Sequence, residues 1–194
     1  SLIRALGLKL DRVVLDPGHG GHDTGTIGRS GLQEKTLVLD IAKRLGELIE
    51  KRLGSEVIYT RTDDVFVSLE DRTKIANEHR ADLFLSIHAN SSRSTRISGA
   101  ETFYLNFTTS ADALEVAARE NATSQKSIYE LQSLVKKIAL KEKIQESREF
   151  ASAIQRSLQN GLWKGRAKDR GVKQAPFIVL IGAQMPSVLT RSPF

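Results

Sequence analysis

The chain has 194 residues, of which 40% are hydrophobic, so it is large enough for one well-packed domain. It contains no cysteine, which excludes disulfide bridges and thiolate metal ligands. A net charge of +6 favours anionic partners, but aromatic residues make up only 6% of the chain and do not alternate with basic ones, so nucleic-acid binding is not expected.

Strands and helices alternate along the chain. Apolar runs and helical periodicity predict, in order, strand 12–16, helix 35–53, strand 56–61, helix 69–80, strands 82–88 and 100–106, helices within 111–161, and strands near 177–181 and 187–190. Ser68 followed by Asp71 resembles a capping box and marks the start of the second helix. This alternation is typical of an α/β domain with a mainly parallel sheet and helices on both faces, and the simplest domain count for residues 1–194 is one.

Residues 110–145 depart from this alternation. The segment is rich in alanine, glutamate and lysine, and apolar residues recur in it at helical spacing: Ile128, Leu131, Leu134, Val135 and Ile138. This pattern predicts an extra amphipathic helix that packs on the domain.

Three potential metal ligands stand where a predicted strand ends or a predicted helix begins. His19 follows the first strand, Glu34 precedes the first helix, and His88 ends the third strand. In open α/β sheets, sites form outside the carboxyl ends of the strands, so these residues can converge there although they are far apart in sequence. Two imidazoles and one carboxylate suit a zinc ion that keeps a fourth position for water. The residues therefore favour a metal-dependent hydrolase.

Other interpretations of the same loop stay open. A histidine in a glycine-rich turn is often a polar loop residue, and His22 could be a ligand, a substrate contact or neither. His79 is most simply a solvated residue at the end of a charged helix. The glycine-rich loop could instead hold a phosphate on its backbone N–H groups. It lacks both Gly-x-Gly-x-x-Gly and Gly-Lys-Ser/Thr, however, which makes nucleotide binding a poor second.

Five segments, taken in order, resemble those of the zinc-dependent N-acetylmuramoyl-L-alanine amidases of the AmiC-like type. They are Val-Leu-Asp-Pro-Gly-His-Gly-Gly at 14–21, Gly-Leu-Gln-Glu-Lys at 31–35, Thr-Arg-Thr-Asp-Asp at 60–64, Ser-Ile-His-Ala-Asn at 86–90, and Gln-Ala-Pro-Phe at 174–177 with Met-Pro-Ser-Val-Leu at 185–189. The resemblance implies that His19, Glu34 and His88 bind Zn²⁺. It also implies a mixed sheet of about six strands and cleavage of the amide between N-acetylmuramic acid and the L-alanine of peptidoglycan.

The chain departs from that family at the residue that should act as the catalytic base. Family members carry a glutamate two residues after Met-Pro-Ser-Val-Leu, and here that position is Arg191. An arginine stays cationic at neutral pH and cannot accept a proton. Two classes of function follow: an amidase, and a zinc-containing wall-binding or regulatory homologue with impaired turnover. In both, zinc binding is expected to survive and turnover to be reduced.

Further roles are expected from position or from the resemblance. Asn90 and Gln174 are candidate substrate contacts. AmiC-like relatives carry an insertion at 110–145 that can cover the zinc until a protein activator binds, so Glu130 or Glu142 could reach the metal as a plug.

The positions of two arginines in the sequence predict structural roles for them. Arg61 is expected to be structural, and Arg72 to form an ion pair on the surface.

The resemblance also implies export to the periplasm or cell wall, although the first residues of the chain do not resemble a secretory signal. No apolar stretch approaches the roughly 20 residues that span a bilayer. No transmembrane segment is therefore expected. The partners that the resemblance implies are peptidoglycan and an activator protein.

Overall fold

A computed structural model of the chain describes residues 10–28, 30–90, 99–124, 127, 130, 141–161 and 168–193, and six strands form a sheet in it. The strands are β1 (Arg12–Pro17), β2 (Glu56–Tyr59), β3 (Leu83–Asn90), β4 (Ala100–Leu105), β5 (Asp169–Ala175) and β6 (Ser187–Pro193). The helices are α1 (Glu34–Leu53), α2 (Leu69–Glu78), α3 (Ala111–Glu120) and α4 (Lys141–Gly161), and Ile178–Leu180 form a short 3₁₀ helix.

The sheet is mixed and mainly parallel, which confirms the predicted fold class. Its strand order is β2-β1-β3-β6-β4-β5. Strands β2, β1, β3 and β6 run parallel to one another, whereas β4 runs antiparallel to β6 and β5 runs parallel to β4. The carboxyl ends of β1, β3 and β6 therefore meet the amino ends of β4 and β5 at one edge of the sheet.

Helices cover both faces of the sheet. Along β1, Val13 and Leu15 pack in one core with α1 and α4, and Val14 packs in the other core with α2 and α3. This split follows from the period of two in a strand, which sends successive side chains to opposite faces. Because both cores are apolar, the central strands have continuous apolar sequences rather than alternating ones.

One predicted strand is wrong. The apolar residues 177–181 contain the 3₁₀ helix, and the edge strand is β5, which precedes them. Phe177 and Leu180 are buried under α2 and α3. A short apolar run that is buried all round gives the same sequence pattern as a buried strand. The polar sequence of β5 instead suits an edge strand, which pairs on one side only.

The apolar positions from Ile128 to Ile138, predicted to form an extra helix, lie outside the described residues. Within the part of the chain that is described, no helix combines the length and the apolar character needed to cross a bilayer.

Arg72 is buried rather than on the surface, which corrects the sequence-based expectation. Its guanidinium has 2% exposure and lies 2.7 Å from the buried carboxylate of Asp16. Asp16 also accepts hydrogen bonds from the hydroxyls of Thr60 at 2.6 Å and Ser86 at 2.7 Å. Burial alone would raise the pKa of Asp16, but the charge of Arg72 and these hydrogen bonds outweigh it and hold the pKa below its usual range.

Replacing Arg72 with methionine is expected to lower the free energy of unfolding by about 3–5 kcal/mol at pH 7, because the buried Asp16 carboxylate loses its cation. Since the folded pKa of Asp16 is depressed, its contribution in the native chain is present at neutral pH and is lost as the pH falls through that pKa. In the variant a protonated Asp16 is tolerated better, so the deficit should shrink near about pH 4.

Urea unfolding at both pH values measures this effect. The matched control is Lys74→Met on the same helix, because Lys74 forms an exposed ion pair with Glu78 at 4.0 Å. That change should cost less than about 1 kcal/mol. Equal losses in the two variants would contradict the structural role of the buried pair.

Candidate metal centre

Four ionisable side chains converge at the edge of the sheet where β1 and β3 end. They are His19, Glu34, His88 and Glu120, and one nitrogen or oxygen atom of each lies within 4.8 Å of the others. His19 follows β1, Glu34 opens α1, His88 lies near the end of β3, and Glu120 ends α3. The structure thus brings together the three residues predicted to bind a metal and adds a fourth, Glu120.

The contacts within this cluster are short. The Oε1 atom of Glu34 lies 3.2 Å from Nε2 of His19 and 3.2 Å from Nδ1 of His88. The Oε2 atom of Glu120 lies 3.0 Å from the same nitrogen of His88 and 3.5 Å from that of His19. Two nitrogens and two oxygens therefore surround a common point.

Two of these atoms lack a hydrogen bond. Nε2 of His19 and Oε2 of Glu120 are buried and form none with any residue that the structure describes. Leaving buried polar atoms unsatisfied costs free energy, and a cation placed between them would satisfy both. The set of two imidazoles and two carboxylates could therefore hold a metal ion.

The charges of the cluster also favour a cation. Burial alone would lower the pKa of His19, but the carboxylates of Asp23, Glu120 and Glu34 outweigh it and raise the pKa to about 11. Burial would raise the pKa of Glu120, but the imidazoles of His88 and His19 and the guanidinium of Arg191 hold it well below its usual range. Carboxylates that favour protonated imidazoles so strongly would equally favour a bound divalent ion.

The loop that carries His19 is held in a strained conformation by two buried arginines. His19 has a φ of 60°, in the left-handed region that residues other than glycine rarely adopt. Arg61 donates to the carbonyl oxygens of Pro17 at 3.0 Å and Gly18 at 2.8 Å, and Arg72 donates to those of Pro17 and His19, each at 2.9 Å. These bonds fix the backbone from which the imidazole projects, and the structural role predicted for Arg61 agrees with them.

Hydrogen bonds orient two of the candidate ligand side chains, those of His19 and Glu34. Nδ1 of His19 lies 2.9 Å from Oδ2 of Asp23, which leaves Nε2 directed at the cluster. Oε2 of Glu34 accepts bonds from the N–H and hydroxyl of Thr26, both at 2.9 Å, and Oε1 accepts from the N–H of Ala89 at 2.9 Å. Because these donors stabilise the ionised form, the Glu34 carboxylate is fixed in both charge and direction.

Gly25 packs directly against two of the candidate ligands, and its replacement by alanine is expected to weaken metal binding. A Cβ there would lie 2.6 Å from Cδ2 of His19 and 2.8 Å from Oε2 of Glu34, at a φ of 63°. Displacing either ligand should reduce metal affinity by about 10–100-fold, as other changes to ligand orientation do. Competition with a chromophoric chelator measures the affinity.

Gly31→Ala is the matched control for that change. Gly31 also has a positive φ, of 83°, but a Cβ there would meet nothing within 4 Å. The control therefore carries backbone strain without the steric contact. If both variants bound metal equally well, Gly25 would not support the ligands.

Glu120 was missed by the sequence analysis, although a signal for it exists. The buried residues of α3 are Ala113, Ala117 and Glu120, so a carboxylate lies on the apolar stripe of an amphipathic helix. A charged residue on such a stripe is rarely buried without a partner. Asn121 then fixes the end of the helix, since its amide donates to the carbonyl of Pro176 at 2.9 Å and accepts from the N–H of Ile178 at 3.0 Å.

Arg191 lies beside the cluster, in the position where the resemblance places a catalytic glutamate. On β6 it pairs in register with His88 of β3 and with Glu101 of β4. Its Nη1 atom lies 3.3 Å from Oε1 of Glu101, and its Nε atom lies 3.4 Å from Oε1 of Glu120.

The residues predicted to contact substrate are not among the four of the cluster. Asn90 ends β3, two residues beyond His88, and its side chain lies outside the described part of the chain. Gln174 lies near the end of β5, opposite Tyr104, and accepts hydrogen bonds from Tyr104 at 2.7 Å and Asn106 at 3.2 Å. Strand β5 runs in the direction opposite to that of β3. The end of β5 that carries Gln174 therefore lies away from the cluster. Substrate binding by Asn90 and Gln174 stays a prediction.

The roles of Glu130 and Glu142 as plugs of the metal centre stay predictions. Glu130 is exposed and accepts a hydrogen bond from the N–H of Ser127 at 2.8 Å, and the side chain of Glu142 is not described. His22 is exposed, with its ring 4.3 Å from that of Phe66, and His79 is exposed as predicted.

The cavity that His19, His88 and Glu120 help to line measures only about 10 Å³, so a sugar or peptide does not fit there.

Comparisons with known proteins show the family to which the chain belongs. Residues 13–194 match the family model described as N-acetylmuramoyl-L-alanine amidase. The amidase AmiA of Salmonella typhimurium is 37% identical over 191 residues, which cover 94% of this chain and 65% of AmiA. The chain thus spans less than two thirds of the length of that relative.

Solved structures show the same fold. An N-acetylmuramoyl-L-alanine amidase from Clostridium difficile 630 superposes with a TM-score of 0.68 at 30% identity, over 94% of this chain and 78% of that one. The CwlD amidase from Clostridioides difficile, in complex with the GerS lipoprotein, gives a TM-score of 0.68 at 27% identity, over 94% and 81% of the two chains. The chain belongs to the N-acetylmuramoyl-L-alanine amidase family, as its sequence motifs implied.

Proposed function

We propose that this chain is the catalytic part of a zinc-dependent amidase that hydrolyses the bond between N-acetylmuramic acid and L-alanine in peptidoglycan. The observation that carries the proposal is the convergence of His19, Glu34 and His88 on one point, in a chain whose family is named for this activity. The wall-binding homologue without turnover is not favoured, because the relatives that match are amidases.

Zinc is the proposed metal because of the donor atoms. Calcium and magnesium prefer sets of oxygen ligands, whereas zinc accepts imidazole nitrogen together with carboxylate oxygen. The chain offers two imidazoles and has no thiol that would favour softer metals. When bound in such a site, zinc polarises a carbonyl group and lowers the pKa of a water molecule toward about 7.

The residues of the chain prepare the site before substrate arrives. Asp23 fixes the tautomer of His19, and the donors on Thr26 and Ala89 keep Glu34 ionised. Arg61 and Arg72 hold the His19 loop, so that little reorganisation is needed during the reaction.

Amide hydrolysis also needs a group that takes a proton from the attacking water and gives one to the departing amine. Arg191 cannot do this, and Glu120 is engaged with the ligand histidines. We therefore expect slow turnover in the chain as it stands.

Peptidoglycan is the proposed partner, and the periplasm or cell wall the proposed location. The net charge of +6 suits an anionic wall polymer. The likeness to CwlD, which was solved in complex with a lipoprotein, supports the further proposal that an activator protein acts on residues 110–145. Deleting residues 124–142 in an Arg191→Glu background should increase wall hydrolysis, and unchanged hydrolysis would contradict a regulatory role for that segment.

Release of stem peptides from purified sacculi tests the proposed activity. The zinc-loaded chain should release peptides that carry a free L-alanine amino group, and a chelator should abolish the release. Re-addition of zinc should restore it. Release that is insensitive to the chelator, or cleavage at a sugar–sugar bond, would contradict the proposal.

A further inference from the structure

We propose that Arg191 is a positioning residue that latches Glu120 into the metal centre and so keeps this site closed. The proposal rests on the proposed function, because Glu120 closes the site only when a metal is held there. It assigns a role to the residue in which this chain departs from its family.

Arg191 lies between two carboxylates and is itself 1% exposed. Its Nε atom lies 3.4 Å from Oε1 of Glu120, and the other oxygen of that carboxylate, Oε2, lies 3.0 Å from Nδ1 of His88. The two oxygens of Glu120 are thus divided between the guanidinium and the ligand histidines. Arg191 therefore sets the direction in which Oε2 points.

Glu101 anchors the other side of the guanidinium. This carboxylate is 0% exposed, lies opposite Arg191 in the register of β4 and β6, and lies 3.3 Å from its Nη1 atom. It also accepts bonds from Arg170 at 3.0 Å and Lys173 at 2.7 Å. With its partners fixed on both sides, Arg191 has little freedom to release Glu120.

The balance of charge favours the closed arrangement. Glu34 and Glu120 together match the charge of a divalent ion, whereas the single charge of Glu101 is shared by Arg191, Arg170 and Lys173. If Glu120 left the cluster, the ion and the guanidinium would face each other with one fewer carboxylate between them. In a buried site that repulsion is weakly screened, so opening is disfavoured as long as position 191 is cationic.

The binding of acetohydroxamate, a small chelating anion, to the zinc-loaded chain measures whether the site is closed. The unmodified chain should bind it weakly. Arg191→Met should tighten binding by about tenfold, in the range found for coupled residues in contact. Arg191→Lys retains the charge and should restore most of the weak binding. Arg191→Gln serves as the neutral variant if the methionine variant does not fold.

The double variant separates a latch from a general structural effect. In a Glu120→Ala background, Arg191→Met should have no further effect on hydroxamate affinity, because the group that it holds is gone. Arg170→Met is the matched control, since Arg170 contacts Glu101 at 3.0 Å but, among the described residues, forms no ion pair with Glu120. It should leave the affinity nearly unchanged.

Two results would overturn the latch: unchanged affinity in both neutral variants, or an equal change with and without Glu120. Zinc content is measured on every variant by mass spectrometry. A chain that binds no zinc would contradict the metal centre itself, whereas a fully loaded chain with unaltered hydroxamate affinity would contradict the latch alone.

Discussion

Replacing Arg191 with glutamate is expected to raise the rate of muropeptide amide hydrolysis by about 10²–10⁴-fold, the usual contribution of a general base. The new carboxylate would stand beside the cluster, in register with His88, where the resemblance places a catalytic glutamate. It can accept a proton from the attacking water and pass it to the departing amine. It would also repel Glu120, which lies 3.4 Å from the present guanidinium, and so open the site.

Steady-state kinetics on a soluble muropeptide measure this effect. Arg191→Gln is the matched control, because it removes the cation without supplying a base. Its rate should therefore rise much less than that of the glutamate variant. Arg170 and Lys173 still neutralise Glu101 in both variants, which should allow both to fold. Equal rates for the unmodified chain and Arg191→Glu would contradict the assignment of this position.

Glu34→Gln is expected to abolish both metal binding and hydrolysis. Glu34 has 1% exposure, and its Oε1 atom lies 3.2 Å from a nitrogen of each ligand histidine. The amide has nearly the same shape but lacks the charge that the metal needs. The loss of metal affinity should exceed the 10–100-fold typical of changes to the groups that only orient a ligand.

Zinc content after dialysis and peptide release from sacculi measure the two losses. The matched control is Glu56→Gln, because Glu56 pairs with Arg12 at 2.9 Å on the surface and is 60% exposed. That variant should retain zinc and activity. Stoichiometric zinc in the Glu34→Gln variant would show that another residue binds the metal.

The convergence of His19, Glu34 and His88 could be predicted from sequence because each lies at one end of an element with a strong local signal. His19 follows an apolar strand closed by Pro17, and Glu34 opens a helix whose buried positions, Val38 and Ala42, recur every four residues. Once these elements are assigned, the rule that sites form at the carboxyl ends of parallel strands brings the ligands together.

The residues that were missed depend on tertiary contacts that sequence patterns do not encode. Arg72 lies among charged residues of α2 and looks exposed, but it reaches Asp16 on β1. Glu120 belongs to a segment whose packing could not be predicted from sequence. The 3₁₀ helix at Ile178–Leu180 was predicted as a strand because periodicity cannot distinguish short buried segments.

The most direct test of the central claim is an anomalous-difference map from a crystal of the zinc-loaded chain, collected on both sides of the zinc absorption edge. We expect one strong peak bounded by Nε2 of His19, Oε1 of Glu34 and Nδ1 of His88, with Oε2 of Glu120 on its fourth side. A map without a peak there, or with the zinc bound by other residues, would contradict it.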